Sequence, residues 1–285
     1  MKTGMKRAAQ GATWLACAAA LAACTGYAPL PARAVELNAA GAQALAVGDL
    51  STAEARLSVA LEYSPRFVEA WVNLGYVELR RGNFVQARRD FVRARSYNYD
   101  IPAPHHALGV LAELQRDGPT AEDCYRAALA VDPGFAPARA NLARRLFERG
   151  QYENAREQFQ RLREVAPAAA QGWAGVAEAL LQLDREAEAE AVIERARAAL
   201  GDEPSLVLVY ARLQLAAGNW DTAEAALAPL VGGNDRTRRA PAWAWIAVAR
   251  AARGDAAGAR QAVDAALAIA SDEPVARRAL ALIRP

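Results

Sequence analysis

The sequence predicts an all-α fold, a solenoid of seven helical hairpins closed by one further helix. Three observations predict it: a 34-residue period running from Ala34, small side chains recurring at two fixed places in that period, and large apolar ones at two others. The rows are 34–67, 68–101, 102–135, 136–169, 170–203 and 204–237; two extra residues lengthen the sixth to 204–239, and the seventh is 240–273. Position 8 of each row reads Gly41, Gly75, Gly109, Ala143, Ala177, Ala211, Ala247, and position 20 reads alanine in all seven: Ala53, Ala87, Ala121, Ala155, Ala189, Ala223, Ala259. Small residues there let two helices of a hairpin approach, and a larger one would overpack the contact at a cost of about 1 to 3 kcal/mol.

The complementary positions carry bulk. Position 7 holds Ala40, Leu74, Leu108, Leu142, Val176, Tyr210 and Ile246, and position 24 holds Leu57, Phe91, Tyr125, Phe159, Ile193, Leu227 and Val263. Between the two helices of five rows stands glycine with a short polar residue: Gly48-Asp49, Gly82-Asn83, Gly150-Gln151, Gly218-Asn219, Gly254-Asp255. Glycine accepts the left-handed backbone that ends the first helix, and the polar residue is expected to cap the second. Rows 3 and 5 depart, with Asp117-Gly118 displaced and Asp184-Arg185 lacking glycine. Pro65, Pro133 and Pro167, all at position 32, end second helices because proline has no N–H to donate. A single hairpin cannot bury its apolar face, so the rows must stack, and 274–285 reads as the closing helix, with Val275, Leu280, Leu282 and Ile283 against Arg277, Arg278 and Arg284.

Ahead of the repeats, Lys2, Lys6 and Arg7 precede an apolar run from Ala12 to Ala23, a secretion signal too short to span a bilayer as a finished helix. Its end, Leu21-Ala22-Ala23-Cys24, resembles the lipobox of bacterial lipoproteins. That resemblance implies cleavage of 1–23 and acylation of Cys24, with 24–33 left as a flexible tether bearing two prolines and a glycine. Multiple acyl chains would hold the protein to a membrane unaided, since each buried methylene is worth about 0.8 kcal/mol. Thr25 after the cysteine, rather than Asp, resembles the arrangement of lipoproteins sent to the outer membrane, which implies its periplasmic face.

Loss of the signal removes three of 34 basic residues against 32 acidic ones, so the mature chain has a net charge of −1 and nucleic acid is not an expected partner. Of three cysteines, Cys17 leaves with the signal and Cys24 takes lipid, so Cys124 has no disulfide partner and is read as packing. His105-His106 does not make a metal site, because adjacent helical residues point apart and no acid or cysteine completes a set. No nucleophile, base and oxyanion arrangement is legible, so no enzyme activity and no cofactor are expected. The run Gly232-Gly233-Asn234-Asp235 with Arg236, Arg238 and Arg239 interrupts the register after a kink at Pro229 and reads as a solvated linker, with a mobile basic contact loop as the alternative.

Within the second row, Trp71, Leu74, Gly75, Gly82, Phe84, Ala87, Phe91 and Ala94 resemble the tetratricopeptide repeat, and the likeness covers about 240 of the 285 residues. It implies a right-handed superhelix with the first helices lining a concave groove. On that pattern the partner-facing residues are Asn38, Val72, Asn73, Tyr76, Arg80, His106, Val110, Arg144, Phe147, Glu178, Leu208, Arg212 and Trp245. Aromatic and arginine anchors suit an extended segment or amphipathic helix of a protein partner. The family's carboxylate clamp is missing: its two positions read Asn38/Ala42, Val72/Tyr76 and His106/Val110. Among repeat lipoproteins, the chain looks most like the pilotins of type IV pilus secretins and the related Tad pilus lipoproteins. A rival reading recruits peptidoglycan enzymes or exopolysaccharide export components, and a lipid-tethered hydrolase is disfavoured.

Overall fold

Column chemistry of this kind dictates helices that begin and end at the same place in each row, and in most rows they do. The computed structural model describes residues 29–233 and 235–283, and every regular element among them is an α-helix. Five first helices fill positions 1 to 13: α3 (Val68–Arg80), α5 (Pro102–Leu114), α7 (Ala136–Glu148), α9 (Ala170–Gln182) and α11 (Pro204–Ala216). Second helices start at position 17: α2 (Leu50–Tyr63), α4 (Phe84–Tyr97), α6 (Gly118–Val131), α8 (Tyr152–Val165), α10 (Glu186–Leu200), α12 (Trp220–Val231) and α14 (Ala256–Ile269). Among the described residues the first helix is α1 (Ala32–Ala46), and the last three are α13 (Arg236–Ala252), α14 and α15 (Pro274–Leu282). The signal, Cys24 and the tether up to residue 28 lie outside the described residues.

The helices fall into two compact units that divide between Gln115 and Arg116: α1 to α5 in the first, α6 to α15 in the second. In the first unit Leu37, Leu57, Leu61, Phe67 and Val77 form a core with Ala34, Ala53, Ala60 and Ala70. Gly75 shows why position 8 must be small: a Cβ there would lie 2.4 Å from Cε1 of Phe91. In the second unit Leu227, Ile246 and Val263 pack with alanines 211, 223, 247, 262 and 266, and α15 adds Ala276 and Ala279 to the same cluster. All seven alanines at position 20 are fully buried. Of the position-7 residues, Ala40 is exposed and the rest are buried or half-buried.

All seven turns place a left-handed residue at position 15. Five are glycines, and the two irregular rows use Arg116 at φ 61° and Asp184 at φ 56°. The expected capping holds for aspartate only. Asp49 and Asp255 accept from the backbone N–H of Thr52 and Gly258, as Asp117 does from Thr120. Asn83 and Asn219 instead reach back, donating Nδ2 to Glu78 at 2.7 Å and Gln214 at 3.0 Å. The run after Gly233 also differs from a linker. Asp235 caps α13 through Thr237, so Arg236, Arg238 and Arg239 sit on an added first turn, with Arg236 donating to the Ile269 carbonyl. Pro229 lies inside α12, two residues before its end.

One column unites residues that share no size. The side chain at position 4 donates to the carbonyl at position 32 of the preceding row: Trp71 to Pro65 (2.8 Å), His105 to Tyr99 (3.1 Å), Arg139 to Pro133, and Trp173 to Pro167 (3.0 Å). Arg277 on α15 does the same to Ser271, so the closing helix continues the register as an eighth first helix. Each bond satisfies a carbonyl past the end of a helix, where no intrahelical partner exists.

Candidate functional site

The residues expected to face a partner lie on first helices, and each unit joins them differently. In the first unit Asn73 Nδ2 on α3 donates to Asn38 Oδ1 on α1 at 2.9 Å. Tyr76 Oη, also on α3, lies 3.3 Å from His106 Nδ1 on α5, and the Tyr76 ring meets Phe91 edge to face at 5.3 Å. Burial pushes the Tyr76 hydroxyl up to about 12 and the His106 imidazole down to about 4, so both are neutral near pH 7. A neutral imidazole protonated on Nε2 accepts the phenol proton at Nδ1. Val72 is 5% exposed and belongs to the packing; Val110 is half-buried, and Arg80 is exposed at the end of α3.

In the second unit four of the named residues, Arg144, Phe147, Glu178 and Leu208, line one cleft of about 250 Å³ together with Phe159, Gln171, Ala174, Gly175 and Ser205. Arg144 pairs with Glu148 at 2.9 Å, and Glu178 with Arg212 at 3.0 Å. The Arg212 guanidinium stands 5.3 Å from the centroid of the Trp245 ring, so Glu178, Arg212 and Trp245 form a continuous run across α9, α11 and α13. Burial raises the Glu178 carboxyl pKa above its ordinary value, and Arg212 opposes the shift. The Phe147 ring leans edge-on against Tyr152 at 5.3 Å.

Phe159 was not expected in the cleft, because it comes from a second helix. Ala174-Gly175 explains it: a Cβ at Gly175 would fall 2.3 Å from the Phe159 ring, so the missing side chain lets that ring form part of the lining. Two consecutive small residues at positions 5 and 6 of row five were the available signal. His105 is 2% exposed and holds the Tyr99 carbonyl, a structural role. Cys124 is half-buried on α6. Among the described residues no group of three His, Cys, Asp or Glu side chains could hold a metal ion, and no helix is long and apolar enough to cross a membrane.

Stacked helical hairpins of this kind define a scaffold for protein–protein interaction. Tetratricopeptide repeat models match residues 38–101, 114–179 and 209–274, more than half of the chain, and the chain belongs to that family. A curated relative is the type IV pilus assembly protein PilF of Pseudomonas aeruginosa, 29% identical over 150 residues. That alignment takes in 51% of this chain and 58% of the relative's length. A solved structure from work on the functional characterization of P. aeruginosa pilF superposes with a TM-score of 0.59 at 21% identity, covering 75% of this chain and 96% of the other. A tetratricopeptide repeat protein from Parabacteroides merdae gives 0.66 at 18% identity over 89% and 99%. These likenesses establish the fold.

Proposed function

We propose that this chain is a lipid-anchored repeat adaptor at the periplasmic face of the outer membrane, supporting assembly of a pilus machine of type IV or Tad kind. The observation that carries the reading is the 29% identity to a type IV pilus assembly protein over 150 residues. The lipobox-like Leu21-Ala22-Ala23-Cys24 supports the anchor, and the run Glu178, Arg212 and Trp245 beside an apolar cleft supports capture of a protein segment bearing both charge and an apolar side chain.

The experiment is complementation of a deletion strain. Wild-type chain restores surface pili; Cys24→Ala fails to incorporate radiolabelled palmitate and leaves the outer-membrane fraction; Arg212→Glu stays in that fraction yet loses most pili and most co-purified partner. Normal piliation in the deletion strain would overturn the pilus reading. Palmitate absent from the wild-type protein would overturn the anchor alone.

A further inference from the structure

Second helices turn their outer faces to solvent, and in six of the seven that face carries at least one exposed or half-exposed carboxylate: Glu62, Asp123, Glu157, Glu190, Asp221 and Asp264 are examples. α4 is the exception. Its outer stripe reads Val85, Arg88, Arg89, Val92, Arg95 and Ser96, the i, i+3, i+4, i+7 spacing of one helical face. Val85 is 69% exposed and Val92 40%. The helix's single acid, Asp90, is 1% exposed on the opposite side.

Four of the other second helices have at least one arginine paired with an acid, as Arg126 is with Asp123, Arg156 with Glu153, Arg161 with Glu157, Arg197 with Asp202 and Arg260 with Asp264, and on α12 the acid Asp221 pairs with Arg253. Among the described residues none of the α4 arginines forms an ion pair. Arg88 donates to the neutral Gln115 amide, and Arg93, beside the stripe, stands 4.5 Å over the Trp71 ring. In a chain of almost zero net charge, this is a one-sign patch with aliphatic side chains set between the charges.

We propose that the outer face of α4 lies against an anionic phospholipid surface. Guanidinium groups without carboxylate partners complement lipid phosphates, and exposed valines between them gain by entering the headgroup boundary; a basic face with interleaved apolar residues is the chemistry of an interfacial helix. The proposal adds to the anchored reading, because a lipid on Cys24 would hold the amino-terminal unit within reach of such a surface. α4 then fixes which way that unit faces, where a flexible tether alone leaves it free to turn.

The test uses purified full-chain protein with the photoreactive residue p-benzoylphenylalanine replacing Val92 or, as control, the exposed Ala257 on α14. Each is mixed with vesicles of pure phosphatidylcholine or of phosphatidylcholine with phosphatidylglycerol, floated, irradiated and weighed intact by mass spectrometry. Phospholipid adducts are expected at position 92, enriched about tenfold by phosphatidylglycerol and lost at high salt, with none at 257. Arg88→Glu with Arg89→Glu should bring the yield down to the control level, and Val85→Ser should lower it by a smaller factor without altering the charge. Equal yields at 92 and 257, or yields indifferent to phosphatidylglycerol, would overturn the proposal. So would adducts to protein alone when the same variants are irradiated in cells, which would put an acidic protein partner on this face. Flotation with pure phosphatidylcholine reads the Cys24 anchor separately: protein that floats only with phosphatidylglycerol lacks the anchor yet keeps the α4 contact.

Discussion

The two units use one register of first-helix positions for opposite chemistries. In the amino-terminal unit, neighbouring rows meet through uncharged hydrogen bonds, Asn38 with Asn73 and Tyr76 with His106. In the carboxy-terminal unit the corresponding join is ionic, Glu178 with Arg212 one full row apart, backed by Trp245. The difference teaches that the repeat dictates backbone and core while leaving groove polarity open, because those side chains touch only their own neighbours along the stack. Hydrogen-bond geometry sets the join in the first unit, and charge sets it in the second.

Titration should break the comparison most visibly. Two buried groups of the first unit pull stability in opposite directions. His106 falls to about 4, so the folded state favours the neutral ring; the stability it contributes is present above pH 6.5 and is lost as pH falls toward 4. Asp90 rises to about 6 because burial disfavours its charge, so folding is penalised progressively as pH climbs from about 4 through 6. Each is worth about 3 kcal/mol at about 1.4 kcal/mol per pKa unit, and they nearly offset between pH 4 and 6.5. Asp90→Asn should therefore stabilise the protein by about 2 kcal/mol at pH 7 and by nothing at pH 3, while unmasking an acid-side loss. His106→Asn should unmask the opposite slope. Denaturant melts across pH with exchange mass spectrometry on peptides of α4 and α5 check both; parallel slopes in the two variants would contradict the assignment.

A smaller effect separates the units at position 8. Gly75→Ala forces a Cβ against Phe91 and should cost about 2 kcal/mol, with faster amide exchange confined to α3 and α4. Ala177→Gly makes the reverse change in the second unit. It should cost about 1 to 2 kcal/mol, through helix propensity and the loss of one buried methyl. A gain in stability from Gly75→Ala, as helix propensity alone would give, would show that position 8 is not a packing site in the first unit.

The columns set by volume were legible because each selects a narrow residue class: alanine at 20, small at 8, large apolar at 24. The position-4 donors were not, because tryptophan, histidine and arginine share an N–H and nothing else, and aligning rows by size hides a hydrogen bond whose acceptor is a backbone carbonyl. The capping reading failed at Asn83 and Asn219 for a related reason: an amide can also donate, and Glu78 and Gln214 stand at position 11 to accept. Of the groove, the ionic half was visible as arginines and acids at position 9, whereas Phe159 entered through an absence, the missing Cβ of Gly175. The added turn of α13 escaped because it depends on Asp235 capping through Thr237, a local bond that overrides the period.

The position-4 bond offers a test in which the units should agree. Trp71→Phe in the first and Trp173→Phe in the second keep an aromatic ring beneath an arginine, since Arg93 and Arg163 each stand 4.5 Å from the respective ring, and remove the N–H together with the indole's second ring. Each should cost about 1 to 2 kcal/mol, one hydrogen bond plus the packing of the lost ring atoms. A loss in one unit alone would mean that the shared register does not carry shared energetics.

The smallest effect concerns two turns of the second unit, where stability rests partly on the unfolded state. Arg116 and Asp184 hold left-handed backbone that costs a residue with a Cβ about 1 to 2 kcal/mol, less for aspartate, whose short polar side chain visits that region readily. Glycine removes the strain but adds freedom to the unfolded chain worth about 0.4 to 1 kcal/mol. Arg116→Gly should therefore gain a few tenths of a kcal/mol, whereas Asp184→Gly should be neutral or slightly destabilising. The sign separates the sites: Arg116 begins the second unit at its border with the first, so a gain there with none at Asp184 attributes it to relieved backbone strain. A gain of equal size at both positions would mean that side-chain chemistry plays no part in how these two rows tolerate a turn without glycine.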